Sequence, residues 1–389
     1  MVLTSEQLEI RAMAREFAAG EIRPHVEAWD AQRALPEEVF GKLAELGFLG
    51  LRAPEVHGGL NLDLVTALLA VEALSWGDAS VGLTAAIHNG PVTRALVAFG
   101  SPGQQEAWLP RLAAGEAIGA FALSEEEAGS DPAALACAAR PSGDGWTLSG
   151  EKRWVTNGER AGLLLVFART GEGRDGISAF LVDRSLPGIE GVGRERTLGL
   201  SASESVTLRF QDVALPAGAL LAGQGDGWKV AADALVVGRL MVAAQSLGVA
   251  EAAFEHALRY AGEREQFGAP LSGFGAIQEK LAGMAQRIAQ SRALLQQVAG
   301  EVETGELAQG GSFPRSLPAR AAMTKVAASE TAMWVADEAV QIFGGYGYMR
   351  DYPVEKLMRD AKGTEIYEGT NEVLRWLVAR DAIREAGEG

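Results

Sequence analysis

Apolar positions recur at helical spacing through the first 118 residues. Leu8, Ile10, Met13 and Phe17 follow Ser5; Val39, Leu43 and Leu46 come next, then an alanine- and leucine-rich run from Leu62 to Leu74, then Gly103 to Ala114. Loops are predicted where Pro and Gly interrupt, at Leu35-Pro36, Ala53-Pro54, His57-Gly58-Gly59 and Ser101-Pro102-Gly103. Residues 1–118 therefore read as an N-terminal all-α domain. From Ile118 the texture changes to short runs with strand character: Trp146-Thr147-Leu148, Leu163 to Ala168, Ile177 to Val182 and Val206 to Phe210. Turn signals at Ser142-Gly143-Asp144-Gly145, Gly171-Glu172-Gly173 and Asp175-Gly176 separate them, and a middle antiparallel β domain over 119–227 accounts for the pattern. Long helical patterns return at Trp228 to Glu263, Ile277 to Glu303 and Ala319 to Phe343, with a Gly- and Pro-containing loop expected at 305–318. The whole reads as an α+β multidomain chain in the order α, β, α, its last part a helical domain over 228–389 with a fraying E-A-G-E-G end.

Within that last domain, Gly344, Gly345 and Gly347 imply a tight loop after the third long helix. Pro353 opens a short amphipathic helix in which Val354, Leu357 and Met358 alternate with Glu355, Lys356, Arg359, Asp360 and Lys362. Ile366-Tyr367-Glu368-Gly369-Thr370 then sets one carboxylate between an aromatic and a glycine, ahead of a second helical pattern through Val373, Leu374, Leu377 and Val378. In water-poor surroundings such a carboxylate becomes a better proton acceptor at neutral pH; a charge favoured near a helix N-terminus is the plainer reading.

A chain of 389 residues, 48% apolar, can bury a large core in two or three domains. Its net charge of −16 argues against nucleic-acid partners and anionic membrane surfaces, so any anionic ligand must be met by a few placed arginines. The single Cys137 excludes an internal disulfide, and His25, His57, His88 and His256 are too scattered to pair as metal ligands on a helix. A reducing cytoplasm fits. The first residues carry acids and helical periodicity in place of a basic segment and apolar run, and no apolar stretch looks long enough to span a bilayer, so neither export nor membrane anchoring is expected.

No G-x-G-x-x-G follows a strand, and G-x-x-x-x-G-K-[ST], H-E-x-x-H and G-x-S-x-G are all missing, which argues against nicotinamide, nucleotide, zinc and serine-hydrolase chemistry. Four clusters mix small residues, an aromatic and an arginine, the composition that holds a large planar anionic cofactor. They are Phe121 to Asp131, Lys152 to Gly158, Tyr260 to Gly268, and Gln341 to Arg380. Taken singly, Trp154 also suits strand packing, Ser130-Asp131 a turn or helix cap, and Arg264 an exposed pair with Glu263 or Glu265.

From Leu3 to Arg380 these clusters resemble the acyl-CoA dehydrogenase family, whose architecture is the same α, β, α order with a C-terminal four-helix bundle and a homotetrameric assembly. The resemblance implies FAD-dependent oxidation of an acyl-CoA thioester to the trans-2-enoyl-CoA in fatty acid β-oxidation, with electrons passed on to an electron-transferring flavoprotein. By the Tyr367-Glu368-Gly369-Thr370 motif, Glu368 would take the α-proton while hydride leaves to flavin N5, and the backbone N–H of Glu368 would bond the thioester carbonyl. Leu123, Ser124, Trp154, Val155 and Thr156 match segments bordering the flavin ring; Thr370 and Glu372 match contacts to the same FAD. Arg264, Phe267 and Gln341, Ile342, Phe343, Gly344 and Gly345 match positions that reach the FAD of a neighbouring subunit, and Ser130, Arg239 and Gly369 match substrate contacts. Gly238 separates this chain from the isovaleryl- and long-chain-type members, whose base stands there.

The chain departs from the family pattern at Ser124-Glu125-Glu126 in place of Thr-Glu-Pro, at Gly275 in place of a glutamine that meets the cofactor, at Ser201 in place of an arginine, and at Val236 in place of an aspartate. An acyl-CoA oxidase or other flavin enzyme, or a non-catalytic acyl-CoA- or flavin-binding protein, would use the same scaffold.

Overall fold

The computed structural model describes residues 3–308, 313 and 316–388, so 309–312, 314 and 315 of the loop expected at 305–318 and the last glycine of the fraying tail lie outside the described residues, while 305–308 and 317–318 belong to the flanking helices. Seven helices come first: α1 (Ser5–Phe17), α2 (Val26–Gln32), α3 (Glu37–Glu45), α4 (Leu64–Gly77), α5 (Ala79–Ile87), α6 (Thr93–Phe99) and α7 (Pro102–Ala113). Thr4 and Gln7 close a capping box at the start of α1, as Ser101 and Gln104 do for α7. Helices α5 and α6 were not anticipated as separate elements. Helix α5 is buried on every side and so carries no amphipathic period, while the seven-residue α6 is buried over Thr93 to Leu96 and too short to show one.

The middle part is an eight-stranded sheet made of β1 (Gly119–Ala122), β2 (Ala138–Ser142), β3 (Gly145–Thr156), β4 (Leu163–Arg169), β5 (Ile177–Asp183), β6 (Ile189–Arg194), β7 (Ser205–Leu215) and β8 (Leu220–Leu221). The order is β6-β7-β3-β2-β4-β5-β8, with β1 beside β4. Pairing is antiparallel except that β1 and β2 run parallel to β4. Side-chain alternation reads the same in either pairing, so the sequence pattern does not reveal the parallel contacts.

The last part holds α8 (Gly227–Glu263), a hairpin of β9 (Glu265–Gln266) and β10 (Ala269–Pro270), then α9 (Gly275–Ala308), α10 (Leu317–Phe343), α11 (Pro353–Thr364) and α12 (Asn371–Glu388). Contrary to the expectation from sequence, α8 is long and apolar enough to cross a membrane by length and composition. Its apolar window is 83% buried inside the molecule, where α8 packs against α4, α5, α9, α10 and α11. A helix apolar all round serves here as the axis of the core. The crossing with α4 is close: a Cβ on Gly248 would stand 2.3 Å from the Glu72 carbonyl oxygen, so only glycine lets the two backbones meet.

One buried polar node ties the parts together. The Lys356 ammonium of α11 donates to Asp78 at 2.7 Å and to Asp360 at 2.6 Å. Asp78 caps α5 by accepting from the N–H groups of Ser80 and Val81, and Asp360 accepts the Leu200 N–H from the loop before β7. Helix α11 is amphipathic as expected, but Lys356 and Asp360 fall on its buried face, because at i and i+4 they satisfy each other and Asp78. Burial opposes the Lys356 charge, yet the two carboxylates outweigh it and raise its pKa. Lys356→Ala leaves two buried carboxylates without their cation and is expected to lower the unfolding free energy by about 3–5 kcal/mol, read by urea denaturation of the purified protein.

Candidate active site

Glu368 lies in the turn between α11 and α12, and the local sequence explains its posture. The Gly363 carbonyl accepts the N–H groups of Ile366 and Tyr367 at the end of α11, and the Asn371 N–H closes back on the Glu365 carbonyl. Between these anchors Glu368 adopts φ +56° and Gly369 φ +96°. A left-handed glutamate costs about 1–3 kcal/mol and persists only where its surroundings impose it. Three neighbours do so. The Tyr367 hydroxyl donates to Gln245 of α8 at 2.8 Å, and Gln245 in turn donates to the Ala79 carbonyl. Arg239 Nε donates to the Glu368 carbonyl at 3.3 Å, and Lys325 of α10 donates to the Gly369 carbonyl at 2.9 Å.

The carboxylate reaches α8 at Gly238. A Cβ there would stand 2.4 Å from Glu368 Oε2, so the missing side chain is what makes room for the acid. Oε2 is shut off from solvent and has no hydrogen-bond partner among the described residues, although Glu368 as a whole is only half-buried. Burial pushes the Glu368 pKa up to about 7, against the opposing pull of Arg239 and Lys325. A buried carboxylate left without partners is costly, and such groups mark sites of chemistry. Gly90 of the π-turn His88–Val92 also meets Met241 and approaches the Gly238 backbone, so this turn packs on α8 near the same residue.

Trp154 sits at a bulge in β3 with φ +55°, its indole 51% exposed. The Arg153 N–H donates to the Ser124 carbonyl at 2.9 Å, which brings the Leu123-Ser124 turn against that bulge. Beneath it the buried Lys152 ammonium holds the Leu123 carbonyl at 2.9 Å and Glu125 at 2.6 Å, and Glu125 also accepts the N–H groups of Ala136 and Cys137. Val155 is buried, while the hydroxyls of Ser124 and Thr156 have no protein partner among the described residues. A half-exposed flat ring beside two free hydroxyls fits a planar cofactor with polar edges.

The other expected residues lie in different places. Ser130 is exposed on the loop after β1. Thr370 accepts the Val373 N–H and caps α12, and Glu372 lies exposed in that helix's first turn. Arg264 and Phe267 follow the far end of α8, 25 residues beyond Arg239 and hence about 37 Å along the helix at 1.5 Å per residue. Phe267 tips the β9–β10 hairpin at φ +54° and is 96% exposed; Arg264 lies over Tyr346. Gln341, Ile342, Phe343, Gly344 and Gly345 end α10 at this same extremity, where Phe343 stacks on Tyr260 and Gly344 stops the helix at φ +61°. A groove of about 650 Å³ between α9 and α10, lined by Gly283, Arg287, Trp334 and Glu338 among others, includes none of the expected site residues. Sequence reasoning missed Lys325, Gln245 and Asn371. Lys325 had a signal: with Ala321, Ala328 and Ala332 it lies on the small, buried stripe of α10.

A helical scaffold around a mixed sheet carries an unpaired buried carboxylate and, on the sheet, a half-exposed indole beside free hydroxyls, features that suit an enzyme with a planar cofactor. Comparison with known proteins narrows the class. The chain matches the acyl-CoA dehydrogenase N-terminal domain over residues 4–116, the middle domain over 120–213 and the C-terminal domain over 225–383. It is 40% identical to an acyl-CoA dehydrogenase of Bacillus subtilis over 98% of both chains. Its structure is similar to that of butyryl-CoA dehydrogenase from Megasphaera elsdenii, with TM-score 0.93 and 37% identity over 98% of this chain and 99% of that one. It is also similar to a chain from a structure described as the electron transferring flavoprotein of Acidaminococcus fermentans, with TM-score 0.94 and 40% identity over 99% of both. The chain belongs to the acyl-CoA dehydrogenase family: it is an oxidoreductase and flavoprotein with FAD as cofactor and an acyl-CoA as substrate.

Gly238→Ala puts a methyl group where the Glu368 carboxyl now lies. The variant is expected to move that side chain to another rotamer and to lower kcat by about tenfold or more, checked by its crystal structure and its turnover with acyl-CoA.

Proposed function

We propose that this chain oxidises an acyl-CoA thioester to the trans-2-enoyl-CoA, with Glu368 as the base that takes the α-proton. The observation that carries the reading is Glu368 Oε2, dry, without a partner, and poised at a pKa of about 7 opposite the gap at Gly238. A base of that pKa is unprotonated for much of the time at neutral pH, yet strong enough to accept a proton from a carbon acidified by its neighbouring thioester carbonyl. The Glu368 N–H lies in the same turn and would donate to that carbonyl, where negative charge grows as the proton leaves. FAD, when bound, would supply the oxidising power and take up the β-hydrogen with its electron pair, so that the substrate would lose one proton and one hydride in all.

In this reading Ser124, Trp154 and Thr156 border the flavin with Leu123 and Val155, and Thr370 and Glu372 lie close to the same cofactor. Arg239 holds the base's own carbonyl and faces the substrate, with Gly369 and Ser130 on the substrate side. The distance along α8 supports assigning Arg264, Phe267 and the Gln341–Gly345 turn to the FAD of another subunit. An exposed phenylalanine at a hairpin tip and the groove between α9 and α10 support contact with further copies, and a homotetramer is the assembly proposed. Similarity to the Acidaminococcus chain supports an electron-transferring flavoprotein as the acceptor. A cytoplasmic place in fatty acid β-oxidation completes the proposal.

Anaerobic titration with straight-chain, branched and dicarboxylic acyl-CoAs tests it, since bleaching of the flavin absorbance by one group names the substrate. If flavin is bound and none of them bleaches it, the reaction is a different one. Glu368→Gln is expected to keep its flavin while the rate of reduction falls by about 10³-fold or more. Because the base must be ionised, kcat/KM of the wild type is expected to fall as pH drops through about 7. A profile flat down to pH 5 would move the base elsewhere.

A further inference from the structure

Lys325 is fully buried in α10, on a helix face whose other buried residues are uncharged, most of them alanine, serine and threonine with a few larger apolar side chains. Its ammonium leaves α10 and donates to the Gly369 carbonyl at 2.9 Å and to Asn371 Oδ1 at 3.0 Å. Asn371 is 3% exposed and held in turn by Ser329 at 3.1 Å. A neutral side chain could pack in this stripe at no electrostatic cost, so a buried lysine needs a reason. Both of its bonds end on the turn that carries Glu368, one residue and three residues beyond it. The Gly369 carbonyl it grips belongs to a residue at φ +96°, beside the left-handed Glu368.

We propose that Lys325 is a positioning residue for proton abstraction: it clamps the Glu368 turn from beneath and supplies a buried cation that favours the ionised base. The charged groups around the pair are few. Arg239 of α8 and Lys325 of α10 face Glu368; Lys325 itself feels Glu365 and Glu368 from the turn, Glu372 from α12 and Arg239 from α8. Burial brings the Lys325 pKa down to about 7, so the ammonium is held in this site at a cost and is the nearer of the two cations to losing its proton.

The inference rests on Glu368 being the base, and Glu368→Gln tests that separately, so a failure of either reading is recognised on its own. Lys325→Met keeps the length and removes the charge. With flavin content and melting temperature as controls for folding, the variant is expected to lose about tenfold or more in kcat with little change in KM. Without the cation the ionised base is less favoured, so the acid limb of its kcat/KM profile moves up by about one pH unit. Lys325→Arg, which keeps the charge, returns the limb towards its wild-type position. A purely structural lysine would change stability and leave that limb where it is. A folded, flavin-loaded Lys325→Met enzyme with wild-type kcat and an unmoved limb overturns the proposal. If Lys325→Met does not fold, Asn371→Ala takes its place, since it removes the clamp's second anchor and leaves the ammonium. A severalfold loss of kcat then supports the proposal, and unchanged kcat overturns it.

Discussion

The buried ion group of Lys356, Asp78 and Asp360 is the constraint from which the site follows. Three buried charges remain tolerable only while each is paired, so the start of α5, the shaft of α11 and the loop at Leu200 must stay in register. Glu368 lies eight residues after Asp360, at the end of the same short helix. Fixing α11 therefore fixes where the chain turns, and the turn in turn meets α8 at Gly238. A slip of α11 by one residue would break the ion group and withdraw the carboxylate together.

The site itself balances two opposed electrostatic demands. Burial raises the pKa of Glu368, which makes it basic but also inclines it to stay protonated and unreactive at neutral pH. Arg239 and Lys325 oppose that tendency from two different helices, without forming a direct bond to Oε2. Holding the backbone carbonyls of Glu368 and Gly369 leaves the side chain free. The same economy appears at β3, where Lys152 and Glu125 satisfy each other below the Leu123-Ser124 turn, and the hydroxyls of Ser124 and Thr156 are left without protein partners.

Much of this was legible along the chain. The order α, β, α and the long helices α8, α9 and α10 followed from period and turn signals, as did strands β4 and β5. Helix α5 lacks the polar stripe that marks an amphipathic helix because it is buried on every side, and α6 is only seven residues long. Helix α8 was read as a long helix but not as one apolar enough to span a bilayer; by length and composition it is, and its neighbours in the core account for that composition. Lys356 and Asp360 were taken for the wet face of α11, because a charge in sequence carries no sign of whether a partner waits for it inside.

For the site, the Tyr367-Glu368-Gly369-Thr370 stretch drew attention to one acid, a local fact of residue type visible without any fold. That Gly238 leaves room for its carboxyl is seen only in the structure. Which side chains surround the acid is not local: Arg239 is 129 positions away, Lys325 lies 43 before it, and Gln245 reaches Tyr367 from the middle of α8. The sequence by itself determined the order of the parts and most of the long elements, and it singled out one acid as the candidate base. Only the tertiary structure decided that this residue is dry, unpaired and set between two cations, because desolvation and Coulomb forces depend on distance in space and not on distance along the chain.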